Sequence, residues 1–321
     1  MLKRISIRKI TLASFTLLVL FLMYLLPNNT KDLVVPQVEQ YTSLDTGNMH
    51  EIYLLDSNNY IARTTISYSN SEKTVENKAK ELIESMIIDG KKESLIPNGF
   101  KAILPIDTKI LSINFEDGIL KINFSKELLD INEEYEEKMI ESLCYTLTSI
   151  DEVKGVLIYV DGTMLTELPK SKKFLPSILD RNFGINKVFN ITSLKDVEPV
   201  TIYYINKYNE EYYYVPVTKY ANKKDDKIKI IIEELASTPT YQNNLMSFLN
   251  SNTELLQYEI KDRQMKLEFN NYLIDDIDQN SILEEVKYTI SLSIKDNYDI
   301  DEVIFYVDNK EITKTVFSGV E

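Results

Sequence analysis

Apolar and polar positions along the 321 residues trace one succession of strand-like and helix-like runs twice over. Each succession begins with two alternating runs separated by a short polar break, the pattern of a β-hairpin. They are IYLLD from Ile52 with YIARTTISY from Tyr60, and later VTIYYI from Val200 with YYYVPVTKY from Tyr212. A helix follows. Val75, Ala79, Leu82, Ile83 and Met86 recur at three- and four-residue spacing, with Ser71 placed to cap the start, and the counterpart from Asp225 to Ala236 carries Ile228, Ile231, Ile232 and Leu235. A proline-containing loop then leads to a second hairpin, turning at Asp117-Gly118 in the first copy and at Asp262-Arg263 in the second. A second helix, marked by Met139, Leu143, Leu147 and Ile150 in the first copy, leads to a last strand. LKINFSKEL from Leu120 matches MKLEFNNYL from Met265, VLIYVDG from Val156 matches VIFYVDN from Val303, and YTLTSI from Tyr145 matches YTISLSI from Tyr288. Each unit therefore reads ββαββαβ. The predicted class is α+β, two tandem domains each with an antiparallel sheet and two helices on one face.

Residues 165–198 join the copies, and Phe174, Leu175, Ile178, Leu179, Phe183, Val188 and Phe189 make the segment too apolar for a free linker. It is expected to pack on one or both repeats. Ahead of the first repeat, residues 1–9 are basic and residues 10–26 form an uncharged apolar run through Ile10, Leu17, Leu20 and Leu26, ending at Pro27. A basic flank before such a run is the pattern of an exported protein. Its length suits both a short membrane span and a long signal peptide. With no A-x-A-like site and no cysteine after it, the run is read as an uncleaved single-pass anchor, residues 27–49 as a tether, and the rest as extracytoplasmic. The expected domains are 50–164 and 199–321.

Composition narrows the chemistry. Beyond residue 26, 32 basic residues face 50 acidic ones, a surface that repels phosphate backbones and argues against nucleic-acid binding. One cysteine, Cys144, and one histidine, His50, exclude an intrachain disulfide, a thiolate cluster and a multi-histidine metal site. No cofactor, metal site or catalytic residue is expected. Asp276, Asp278 and Asn280 sit at calcium-loop spacing, but Ser281 stands where a glycine is needed and Lys287 where a closing glutamate belongs. The stretch reads instead as a turn capping a helix that begins near Ser281. Glu133, Glu134, Glu136 and Glu137 read as acids serving a helix dipole. Cys144 reads as a core thiol, and His50 as exposed before the first strand. Seven of the 21 tyrosines fall between Tyr203 and Tyr220. Adjacent strand residues point to opposite faces, so Tyr212, Tyr213 and Tyr214 cannot all enter one core. Cross-strand pairing on an exposed face and a protein interface through Tyr204, Tyr212 and Tyr214 both account for them.

The loop Leu95-Ile96-Pro97-Asn98-Gly99-Phe100 through Thr108, the hairpin ending Ile122-Asn123-Phe124-Ser125, and the strand ending Val160-Asp161-Gly162 resemble the GerM domain family. Leu235 to Pro239, Phe269-Asn270 and Val307-Asp308 fit more loosely, and Gly184-Ile185-Asn186 resembles the joint of its tandem members. The resemblance implies small α+β modules similar to the ring-building modules of the sporulation channel. It implies a non-enzymatic role in assembling or stabilising an envelope complex during endospore formation or germination, with envelope or sporulation-channel proteins as partners. Two departures stand out: a transmembrane anchor in place of a lipobox cysteine, and Asp308-Asn309 in place of Asp-Gly. The rival reading is an extracytoplasmic protein that binds cell-wall peptidoglycan, or a carboxylate-dependent wall hydrolase. A deep cleft with two inward carboxylates favours that rival.

Overall fold

The computed structural model describes residues 49–67, 74–190, 197–222, 226–237, 244–276 and 281–317. The anchor positions Ile10, Leu17, Leu20 and Leu26, the tether before Met49, and Ser71 lie outside them. Among the described residues no helix is long and apolar enough to cross a membrane.

The first repeat runs β1 (Met49–Asp56), β2 (Ile61–Ser67), α1 (Val75–Ser85), the short β3 (Phe100–Lys101), β4 (Ile110–Glu116), β5 (Ile119–Phe124), α2 (Glu133–Leu147), β6 (Gly155–Val160) and β7 (Thr163–Met164). The joining segment adds β8 (Val188–Asn190). The second repeat runs β9 (Val197–Tyr208), β10 (Glu211–Asn222), α3 (Lys227–Ala236), β11 (Leu255–Lys261), β12 (Gln264–Phe269), α4 (Glu284–Asn297), β13 (Glu302–Val307) and β14 (Lys310–Val316). The fold is mixed α+β with four described helices, as the periodicity implies. Thr74, not Ser71, is the residue whose side chain accepts from Asn77 N at the start of α1. Helix α4 begins at Glu284, with Leu283 at the capping position and no side-chain cap, so the acidic stretch before it does not cap it. Of that stretch, residues 277–280 lie outside the described residues.

The sheets β4-β5-β6-β7 and β11-β12-β13-β14 are mixed, which corrects the antiparallel expectation. β5 pairs with β6, and β12 with β13, in parallel. A helix lies between the members of each pair, and a strand–helix–strand crossover returns the chain in its original direction. The flanking pairs are antiparallel and close at Asp117-Gly118, Asp161-Gly162, Asp262-Arg263 and Asp308-Asn309, all eight residues at positive φ. That is the tight-turn geometry that matches strand twist, and aspartate tolerates it in the first position each time.

The first hairpins do not stay with their own repeats. β1-β2 and β10-β9 join through Arg63 and Tyr214 into one sheet that also takes β3 and β8. Ala62 of the first repeat consequently packs in the core of the second. The outer strands of this shared sheet would present bare backbone groups, and helix side chains close them. Tyr53 N donates to Thr146 Oγ1 (2.9 Å), and Ser149 Oγ donates to Glu51 O (3.1 Å), from α2 and its C-terminal turn onto β1. On β9, Tyr203 N donates to Ser293 Oγ (2.9 Å) and Asn297 Nδ2 to Thr201 O (2.6 Å). The hydroxyl-rich YTLTSI and YTISLSI stretches, which mark the repeat in the sequence, serve this edge closure.

Candidate functional site

The joining segment threads between the repeats, and its conformation begins at Gly184. Its φ of +78° belongs to the left-handed region, and a Cβ there would stand 2.7 Å from Tyr220 Oη and 3.1 Å from Thr218 Cβ. Two residues on, Asn186 lies where β2 and β8 share one edge of β10. Its Oδ1 accepts from Ile61 N (2.9 Å), and its Nδ2 donates to Ile61 O (2.7 Å) and Pro216 O (2.8 Å). One side chain thus does the work of a ladder between β2 and β10. It also explains why Pro216 is tolerated inside a paired strand. A strand residue's N and C=O point to the same side, so the missing N–H faces the gap that Asn186 fills and leaves the β9 pairing intact.

Arg181 joins the repeats through charge. Its Nη1 donates to both carboxylate oxygens of Asp296 (3.0 and 3.1 Å), its Nη2 to Tyr145 O (3.2 Å) and its Nε to Thr148 Oγ1 (2.8 Å). The guanidinium lies 4.3 Å from the centre of the Tyr145 ring. Asp296 also accepts from Tyr203 Oη (2.8 Å), which meets Tyr53 Oη at 2.9 Å. Burial disfavours the charge on Arg181, but Asp296 together with Tyr53, Tyr203 and Tyr145 outweighs it and holds the guanidinium well above its ordinary value. A third tie is Asp56, 1% exposed, which accepts from Asn206 Nδ2 (3.0 Å) and Tyr213 Oη (2.8 Å) of the second repeat.

Beside this seam runs an open groove of about 760 Å³, lined by Tyr60, Glu137, Lys138, Glu141, Lys187 and Phe189 among others. Glu133, Glu134 and Glu137 of the acidic run of α2 line it, Glu136 is buried beside them, and the run does more than serve the helix dipole. Glu136 accepts from Lys170 N (2.9 Å) and Ser171 N (2.7 Å). Glu137 pairs with Lys187 (2.7 Å) and with Lys173. Glu141 accepts from Asn186 N (2.9 Å) and lies 3.5 Å from the Lys187 ammonium. All three carboxylates hold the joining segment. As expected from its apolar content, Leu168, Leu175, Leu179 and Ile185 are buried in the first core, whereas Phe174 and Phe189 are exposed.

Burial pushes the Glu141 carboxyl up to about 7 against the pull of Lys187 and the Asn186 amide. A raised folded pKa means that the native chain keeps a proton the unfolded chain releases above its ordinary value of 4.5. Stability is therefore expected to fall as pH rises from about 4.5 to about 7, the loss being complete above that window. Glu141→Gln, whose carbonyl still accepts the Asn186 N–H, is expected to flatten this fall and to stabilise the chain at pH 8 by up to ~3 kcal/mol, at ~1.4 per pKa unit. Denaturant melts of both proteins at pH 5 and pH 8 measure it; equal slopes would exclude Glu141 as the source.

The tyrosine positions differ from expectation. Tyr204 and Tyr214 are each 3% exposed and Tyr212 is half-buried, so the first two cannot form an exposed interface patch. Both faces of β9-β10 are covered. Tyr204 and Tyr213 enter the second core, while Tyr203 and Tyr214 pack with Tyr288 and Leu292 of α4. The Tyr213 and Tyr203 hydroxyls meet the other repeat at Asp56 and Tyr53, a role visible only once the hairpins share a sheet, while Tyr204 Oη donates to Glu234 of its own repeat. His50 lies within β1, half-buried, and burial with Lys78 nearby lowers it to about 4, which corrects the exposed reading. Cys144 is buried, its Sγ donates to Asp180 O (3.2 Å), and burial pushes its thiol up to about 12. Among the described residues no cluster of histidine, cysteine or carboxylates is arranged to hold a metal.

A family model described as "Germane: Sporulation and spore germination" matches residues 51–166 and 201–313, one match per repeat. The spore germination protein GerM of Bacillus subtilis (strain 168) is 32% identical over 267 residues, covering 82% of this chain and 72% of its own length. The solved tandem GerMN domains of the sporulation protein GerM from Bacillus subtilis superpose with a TM-score of 0.74 at 30% identity, covering 82% of this chain and 91% of that one.

Proposed function

This chain belongs to the Germane family of sporulation and spore germination proteins, and from that membership we propose that it is a non-enzymatic, membrane-anchored extracytoplasmic protein that assembles or stabilises an envelope complex through protein contacts. Residues 10–26 anchor it as a single-pass helix, with the repeats in the space where the spore envelope is built. The supporting observation is that the inner carboxylates of the groove are engaged by the chain's own joining segment, Glu137 by Lys173 and Lys187 and Glu141 by the Asn186 N–H, while Glu133 and Glu134 at its mouth are exposed. On an otherwise acidic surface the joining segment offers apolar contact points outward, with Phe174 82% and Phe189 67% exposed.

One observation favours a second reading, a peptidoglycan-binding or hydrolytic protein. Glu141 is raised to about 7 while Lys173 and Lys187 outweigh burial to hold the neighbouring Glu137 low, the separation an acid–base pair requires. Against it, Glu141 is buried with both oxygens occupied.

Affinity capture of the tagged full-length chain after crosslinking, from cells sampled through growth and spore formation, separates the two. Recovery of envelope proteins during spore formation, weakened by a Phe174→Ser, Phe189→Ser variant, is the expected result. Capture of no protein at any stage, with turnover of wall fragments abolished by Glu141→Gln, would replace assembly with hydrolysis.

A further inference from the structure

The two repeats differ at the edge of the mixed sheet that β4 forms in one and β11 in the other. In the first, α1 packs against the edge strand β4, so that Ile113 and Phe115 sit against the core and Phe115 N donates to Glu76 Oε1 (3.2 Å) of α1. In the second, α3 packs on β9 and α4 instead. β11 ends its sheet, and its equivalents of Leu111, Ile113 and Phe115 are Leu256, Tyr258 and Ile260, which follow the same bulge and the same register. These three are 58%, 36% and 46% exposed. Tyr258 and Ile260 lie on the same face as buried Leu267 and Met265, so they continue an apolar surface that, among the described residues, meets only Asp226 at the start of α3, which accepts from Tyr258 Oη. An edge strand with an uncovered apolar stripe is a template for another strand.

We propose that β11 pairs antiparallel with β11 of a second copy of this chain, about a two-fold axis through Tyr258. The strand reads LLQYEIK, and this register is self-complementary. It sets Leu256 against the second copy's Ile260, Tyr258 against the second copy's Tyr258, and Gln257 against the second copy's Glu259, so three apolar pairs line one face and no like charges oppose. Moving the axis to residue 259 places Glu259 against itself and Leu256 against Asp262, and moving it to residue 257 places Ile260 against Glu254, so either slip loses an apolar pair. The four strands β14-β13-β12-β11 of each copy become one eight-stranded sheet. The pairing does not depend on the assembly role above: a dimer without envelope partners, and envelope partners without a dimer, are separate outcomes.

Tyr258→Cys in the full-length chain tests it, since buried Cys144, its thiol raised to about 12, leaves the new residue as the reactive thiol. A short bismaleimide added to membranes is expected to join two chains through Tyr258→Cys and not through Ile113→Cys, the matching position on the edge that α1 packs against. Sedimentation of the purified full-length chain is expected to show a dimer, and Ile260→Lys to weaken it by at least about tenfold with an unchanged melting curve. A chain that sediments as a monomer overturns the proposal. So do equal crosslinking at the two edges and crosslinking of Tyr258→Cys to a different polypeptide.

Discussion

Arg181→Met is expected to lower the free energy of unfolding by about 3 kcal/mol, the low end of the range for removing one partner of a buried ion pair. The low end applies because the Arg181 side chain keeps 23% of its exposure while Asp296 keeps 9%. The loss falls on the seam: Asp296 is left beside Tyr203 without its cation, and the Tyr145 carbonyl and Thr148 hydroxyl lose a donor. Arg181→Lys is expected to recover less than half. An ammonium cannot span both carboxylate oxygens while reaching Thr148, nor lie flat on the Tyr145 ring. Adding Asp296→Asn to Arg181→Met should restore part of the loss, because it removes the stranded charge. Urea unfolding followed by circular dichroism measures all four proteins. A loss below 1 kcal/mol, or full rescue by lysine, would show that Arg181 does not tie the repeats together.

Asn186→Asp is expected to destabilise more than Asn186→Ala, by about 4 against about 2 kcal/mol, at ~1–3 per buried polar group left unpaired. The aspartate arm isolates hydrogen-bond chemistry, whereas alanine adds left-handed backbone strain to the loss of the bonds. Asn186 has φ of +47°, a conformation that asparagine and aspartate both tolerate, so backbone strain barely changes between them. An aspartate still accepts from Ile61 N, but it turns two donors into an acceptor facing the Ile61 and Pro216 carbonyls, and it adds charge beside Glu141. Alanine removes the bonds without adding repulsion. Hydrogen exchange at the Ile61 amide locates the effect, and faster exchange there in both variants is the expected signature. Equal stability of the aspartate variant and the parent chain would mean that water replaces the Asn186 contacts.

The elements of each repeat were legible because their signals are local. Strand alternation, the helical stripes at Val75, Ala79 and Leu82 and at Ile228, Ile231 and Leu235, and the turn pairs at Asp117-Gly118 and Asp262-Arg263 need no knowledge of what lies across the fold. The parallel pairing of β5 with β6 was also legible in principle, since a helix separates the two strands, and weighing that connection would have replaced the antiparallel sheet with a mixed one. The seam was a different matter. Tyr204, Tyr212 and Tyr214 read as a candidate interface because alternation along a strand does not show that the second repeat covers both faces of β10, with its core on one side and Tyr288 and Leu292 of α4 on the other. Glu136 and Glu137 read as acids of a helix start, and Glu141 drew no reading, because their partners, Ser171, Lys187 and Asn186, lie 35 to 50 residues away. Within the joining segment, the Gly184-Ile185-Asn186 resemblance pointed to the right residues without saying what they bond.

What the sequence by itself determined about this protein is the two-fold repetition, the order of elements in each copy, the family, and the exclusion of disulfide and multi-histidine metal chemistry, all of which depend on residue identity and short-range spacing. Only the tertiary structure decided that the hairpins leave their repeats to form one sheet, that Arg181, Asn186 and Asp56 tie the copies together, and that β11 keeps an apolar edge while β4 is covered. Those outcomes depend on which surfaces meet. Two repeats with the same pattern bury different faces when α1 settles on β4 and α3 on β9, and periodicity along one chain carries no record of that choice.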